Sequence, residues 1–185
     1  MNRNKLSPPE KWILIGIPLL FVIGALLHFA YDVLGESPIV GLFAPVNESI
    51  WEHAKMVVWP IILWWGLYYR FRGEAYKINP NKWFAGALTS LLVALIAMPM
   101  LYYFYTEAFG VEIVWVDVLI LLLALLFGQL LGLHAYRYSK GIPVPWAFAA
   151  FGGIILLFFL FPFFPPQIPW FQDGITGSYG IDFPL

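Results

Sequence analysis

EIVWVDVLILLLALLFGQLLGLHAY, residues 112–136, is the stretch whose reading decides the fold. Between Asp117 and Arg137 it holds no Asp, Glu, Lys or Arg. The run exceeds the roughly 20 helical residues that a bilayer core requires. Unpaired backbone groups are too costly in hydrocarbon, so such a run spans as a helix. It lacks the alternation of an outer-membrane barrel strand. Four more segments share its character, at about 12–31, 48–69, 83–105 and 145–164. The expected fold is all-α: a polytopic membrane helix bundle of five transmembrane helices. It is expected to form a single integral membrane domain over residues 1–185, with 165–185 as an extracytoplasmic tail.

Composition agrees. The chain is 61% hydrophobic and 11% charged, with a mean hydropathy of +0.78, well outside the soluble range. It has no cysteine, which excludes disulfides, thiolate metal sites and thiol nucleophiles. A net charge of −1 argues against a nucleic-acid partner. Nine Trp, ten Tyr and seventeen Phe suit interfacial aromatic belts. The first apolar run is longer than a cleavable signal's core, and no A-x-A site follows it.

Local signals mark the helix ends and packing faces. Asn79-Pro80 reads as an N-cap and first-turn proline for the third span. Pro60 and Pro99 fall inside the second and third spans, where proline kinks a helix. Gly128 with Gly132, and Ala149 with Gly153, form small-x-x-x-small pairs that let backbones approach closely.

Every basic residue except Lys55 falls on one side of the five spans: Arg3, Lys5, Lys11, Arg70, Arg72, Lys77, Lys82, Arg137 and Lys140. Basic loops are cytoplasmic, so the N-terminus is expected inside and the C-terminus outside, in the cell (inner) membrane. All carboxylates except Glu10 and Glu74 then lie on or near the outer side. Depth follows from the helical rise. His28 is as far along the chain from Lys11 as His53 is from Arg70. Both lie roughly 25 Å above the inner boundary, with Glu52 at nearly the same height. Asp32 and Asp117 come out slightly higher, at roughly 30 Å. His134 lies beside Arg137, roughly 20 Å from the other histidines, so a site built from all three is not expected.

The polar residues concentrate in Asn47-Glu48-Ser49-Ile50-Trp51-Glu52-His53. Ionisable groups at membrane depth are costly and mark function by default. His28 and Asp32 are spaced i, i+4, as are Glu48 and Glu52, so each pair shares a helix face. His28, His53 and Glu52 make a candidate ligand set for a divalent transition metal such as zinc. Glu52, Glu48 and Asp32 are candidate acid–base groups. Asn47, Trp51, Asp117 and Asp173 are further candidates for the same outer pocket. A structural reading competes. Ser49-x-x-Glu52 fits a capping box, Asn47 is an alternative N-cap, and Glu48 suits a helix N-terminus. Capping explains neither His28 nor His53.

SPIVGLFAPV, residues 37–46, is too short to span and is broken by Pro38, Gly41 and Pro45. It is expected to be a re-entrant or interfacial loop walling the outer pocket. The tail, with Asp173-Gly174 and Thr176-Gly177, is rich in turn signals and is expected to fold back onto the outer face.

PIVGLFAPVNESIWEHAKM and IPWFQDGITGSYGI resemble an uncharacterised family of small prokaryotic integral membrane proteins. That family carries an N-E-S-x-W-E-H segment and a P-x-F-x-D-x-x-T-G-x-Y-G tail. The resemblance covers nearly the whole chain and implies a five-helix cell-membrane protein without an established activity. The chain departs from the membrane hydrolases that include alkaline ceramidases, since it has five spans and no H-x-x-x-H pair. Three functions follow as expectations. The first is an outward polar pocket for a metal or small ligand, with hydrolase-like chemistry. The second is a small-molecule or proton-coupled transporter, and the third an accessory subunit binding a protein partner on the outer face. The lipid bilayer is the expected surrounding in all three.

Overall fold

The computed structural model describes residues 6–181; the predicted inner charges Arg3 and Lys5 lie outside them. Eight α-helices are present among the described residues: α1 (Pro8–His28), α2 (Ala30–Val33), α3 (Pro38–Gly41), α4 (Ile50–His53), α5 (Lys55–Arg72), α6 (Pro80–Phe109), α7 (Val114–Tyr138) and α8 (Val144–Leu160). A 3-10 turn follows at Pro169–Phe171. The described residues contain no strand, only an isolated bridge between Gln172 and Tyr179.

Three helices, α1, α6 and α7, are long and apolar enough to cross a membrane. At 1.5 Å per residue, α6 with 30 residues extends roughly 45 Å and α7 with 25 roughly 38 Å. α8 is apolar but shorter, with 17 residues. Large apolar side chains such as Leu26, Ile96, Phe104 and Trp115 are exposed. The apolar helices therefore point to association with a lipid bilayer.

The first two expected spans are broken where polar residues enter. α1 stops at His28, and Asp32 falls on the separate short helix α2. α4 and α5 meet at Ala54, which keeps a right-handed helical conformation (φ −61°, ψ −20°). Together they carry the chain in near-helical form across 50–72. Asn79 caps α6 by accepting from the Lys82 amide at 3.2 Å, with Pro80 in the first turn.

Small residues set the helix spacing. A Cβ on Gly132 would lie 2.8 Å from the Gly86 carbonyl, and one on Gly128 2.7 Å from the Ser90 carbonyl. α6 and α7 thus touch backbone to backbone, as the Gly128/Gly132 spacing predicts. The Ala149/Gly153 pair differs from expectation. Both residues are exposed, and no atom lies within 4 Å of a Cβ built on Gly153. The reason is that α8 turns a different face to α6, with Ala147, Phe151 and Phe158 buried.

Polar anchors fix the core. Trp12 and Trp64 stack at 3.9 Å between ring centroids. Each donates its indole N–H to the other's carbonyl at 3.2 Å, clasping α1 to α5. Deeper, Trp65 donates to Gln129 Oε1 at 3.1 Å and Trp83 donates to the Trp65 carbonyl at 3.0 Å. At one helix end Glu10 pairs with Arg137 at 2.6 Å, joining α1 to α7. At the other end Gly24 brings α1 against α5: a Cβ there would meet the Met56 carbonyl at 2.6 Å. One turn beyond Gly24 stands His28, and one turn before Met56 stands His53.

Candidate functional site

The close crossing at Gly24 is what pairs the histidines. Their rings lie 5.2 Å apart, inclined by 27°. Glu48, just before α4, reaches both: its Oε2 is 3.3 Å from His53 Nε2 and its Oε1 is 3.9 Å from His28 Nε2. One ligand atom from each of His28, Glu48 and His53 lies within 4.8 Å of the others. His53 Nδ1 sits 2.9 Å from the Ser49 carbonyl. A carbonyl only accepts, so Nδ1 carries the hydrogen; Nε2, 3.3 Å from Glu48 Oε2, pairs with that carboxylate when protonated and can ligate a metal once deprotonated. Ligand atoms held at 2.0–2.1 Å by a tetrahedral ion sit roughly 3.3 Å apart. The His53–Glu48 separation already has that value, and His28 is slightly farther off.

His28 is less well supported. Its Nδ1 is buried and has no hydrogen-bond partner among the described residues. Groups that orient a ligating histidine are worth roughly 10–100-fold in metal affinity. His53 has such a group and His28 has none.

Glu52 does not share this cluster. Its carboxylate turns the other way, toward Lys55, and accepts from the Val46 amide at 3.1 Å. Both side chains are buried, Lys55 to 0% and Glu52 to 2% exposure. Lys55 Nζ also donates to the carbonyls of Gly41 and Ala44, the latter at 3.3 Å. An ammonium has three donors, and all three are used. The buried pair therefore fastens the 37–46 loop onto the start of α5. The capping box is also only half formed. Ser49 Oγ accepts from the Glu52 amide at 3.3 Å, but the Ser49 amide donates to Asn47 Oδ1 at 3.0 Å. Asn47 does what Glu52 was expected to do, because Glu52 is engaged by Lys55.

The other predicted residues divide. Asp32 is exposed on α2, which Phe29 separates from α1, and it stays within electrostatic reach of His28. Asp117 is within electrostatic reach of His53 and Glu48, and accepts from the Tyr105 hydroxyl at 2.6 Å. Trp51 is buried among aromatic rings of the C-terminal region, stacking on Phe158 at 4.2 Å and lying 4.7 Å from Phe171. It packs the tail against α4. His134 lies beside Tyr138, outside the cluster.

A family model described as a family of unknown function, DUF6512, matches residues 1–181. The chain belongs to that family. No curated protein and no solved structure matches it. Membership agrees with the resemblance seen in the sequence insofar as neither supplies an activity, so the reading of this DUF6512 chain rests on its own geometry.

The tail is part of that geometry. Asn47 Nδ2 donates to the Gly180 carbonyl at 3.1 Å, and the Ile181 amide donates to the Pro162 carbonyl at 2.9 Å. Between them Asp173 organises a turn, accepting from the Ile175 amide at 2.9 Å and the Thr176 hydroxyl at 2.6 Å. Burial alone would raise the Asp173 carboxyl, but the Thr176 hydroxyl and the backbone of Ile175, Thr176 and Glu48 outweigh it and hold it below the usual carboxylate range. A carboxyl lowered by folding stabilises the folded state above its unfolded value, about 3.9. That contribution fades as the pH falls below about 4 and through the lowered folded value. Asp173→Asn is expected to cost roughly 1–3 kcal/mol near neutral pH. Melting of the two proteins in detergent checks this: their gap should be constant from pH 7 to 5 and narrow toward pH 3. A gap independent of pH counts against the turn role.

Proposed function

We propose that this chain is a multi-pass protein of the cell (inner) membrane whose outer face binds a divalent transition metal such as zinc. The observation that carries the reading is the convergence of His28, Glu48 and His53, one ligand atom from each within 4.8 Å of the others. Two imidazoles and a carboxylate are a zinc-type donor set, and three protein ligands leave a fourth position open, as in catalytic zinc sites. Asp117, within electrostatic reach of His53 and Glu48, is the candidate acid or base for this reading. An open position beside a carboxylate supports hydrolase-like chemistry.

The membrane arrangement follows the same reading. α1, α6 and α7 span by length and composition. We take 50–72, through α4 and α5, as the second span and α8 with its following turn as the fifth, in a single integral domain. The basic residues at the Arg70–Lys82 and Arg137–Lys140 ends then set that side as cytoplasmic, with the N-terminus inside and the C-terminal tail outside.

Elemental analysis of the purified protein tests the proposal. One equivalent of metal per chain is expected in the parent protein and none in His53→Ala. A parent protein without metal, and unable to take up added zinc, overturns the reading. His28→Ala is expected to keep weak binding, since His28 lacks an orienting partner.

A further inference from the structure

A second site lies at the opposite end of α5 from the metal triad. α5, α6 and α8 enclose a cleft of about 1090 Å³, above the roughly 300–1,000 Å³ of ordinary small-molecule pockets. Its walls are apolar, with Trp65, Phe84, Phe148, Phe151 and Ile155. Two glycines face it from opposite sides, Gly66 on α5 and Gly152 on α8, and a Cβ on either would meet nothing within 4 Å. The cleft is therefore open space between helices rather than packed core. Its polar lining comes from Arg70, Glu74 and Lys77. Arg70 and Lys77 are exposed and form no ion pair among the described residues. Lys77 is held in the left-handed region at φ 48°, fixed by the Ile78 amide bonding to the Gly73 carbonyl at 2.8 Å. Such a conformation is unfavourable for a residue with a Cβ.

We propose that this cleft binds an anionic phospholipid, with its acyl chains along the aromatic walls and its phosphate between Arg70 and Lys77. Charge complementarity selects this occupant. The mouth carries a net positive charge, the interior carries none, and basic pockets between membrane helices on the cytoplasmic side hold anionic head groups. The inference rests on the proposed orientation, which puts this end on the cytoplasmic side, and is independent of the metal triad.

Native mass spectrometry of the detergent-purified full chain, equilibrated with phosphatidylglycerol and phosphatidylcholine in equal amounts, tests it. Preferential retention of phosphatidylglycerol is expected. Each basic residue near a head group contributes roughly fivefold, so Arg70→Gln with Lys77→Asn should weaken phosphatidylglycerol retention roughly 25-fold. Asparagine tolerates the left-handed conformation, so the turn survives. Gly152→Leu and, separately, Gly66→Leu fill the cleft without touching the charges, and each should reduce retention to a similar extent. Equal retention of both lipids overturns the proposal. So does full retention in the charge-neutralised variant, or in both glycine variants.

Discussion

Lys55→Met is expected to destabilise the protein by about 3–5 kcal/mol, a large part of the roughly 5–15 kcal/mol that holds a typical domain folded. The reason lies in what the substitution leaves behind. Glu52, at 2% exposure, keeps its charge or must take up a proton, and the Gly41 and Ala44 carbonyls lose their donor. Methionine matches the lysine stem in size, so packing is nearly conserved and the loss is electrostatic. Glu52→Met should cost a comparable amount by stranding the ammonium. The double variant should be more stable than the sum of the singles implies, because removing both ions removes both desolvation penalties. It should not return to the parent value, since the Val46 amide and two loop carbonyls stay unpaired, at about 1–3 kcal/mol per buried group. Unfolding midpoints of the four proteins in one detergent close the cycle. A coupling under about 1 kcal/mol would show that Lys55 and Glu52 do not act as a buried pair.

Glu48→Gln is expected to weaken zinc binding roughly 100-fold, whereas Glu52→Gln should leave it within a few-fold wherever the variant folds. Four-ligand structural zinc sites gain about 10–16 kcal/mol, or about 3 kcal/mol for each ligand. An amide oxygen in place of a carboxylate loses most of one share. The contrast between the two glutamates is the sharper part of the prediction. They sit one helical turn apart in sequence, yet only Glu48 faces the histidines, at 3.3 and 3.9 Å. Competition titration against a chromophoric chelator measures both. Equal losses in the two variants would mean that the triad is not the site.

The sequence made most of the frame legible, and for a clear reason. Long uncharged runs have one outcome in lipid, so the apolar helices follow from composition and length. The cap at Asn79-Pro80 and the close packing at Gly128 and Gly132 are local signals that the tertiary structure preserves. Matched depth along α1 and along α4 with α5 also puts His28 and His53 in the same layer, because helical rise converts residue number into height. Other signals failed for equally physical reasons. The i, i+4 spacing of His28 and Asp32 assumes an unbroken helix, and α1 ends between them. The choice between Glu48 and Glu52 depends on azimuth, and their i, i+4 spacing fails because Glu48 precedes the extended N-cap Ser49 (φ −77°, ψ 151°) and lies outside α4. Ser7-x-x-Glu10 is a capping pattern that marks the start of α1, where the Ser7 amide donates to Glu10 at 2.6 Å.

By itself, the sequence determined an all-helical chain rich in membrane-length apolar segments, with two carboxylates and a histidine clustered at Asn47–His53. Hydrophobicity and helical rise are properties of a single segment, so they need no knowledge of neighbours. Only the tertiary structure decided which polar groups meet. The missing side chain of Gly24 sets how closely α1 crosses α5, and that spacing places His28 against His53. Lys55, an outlier among the basic residues, claimed Glu52 because a buried ammonium must fill all three of its donors. That engagement freed Glu48 for the histidines and left Asn47 to close the cap. Which carboxylate joins the site was therefore settled by a lysine whose partners, Gly41, Ala44 and Glu52, come together only when the chain is folded.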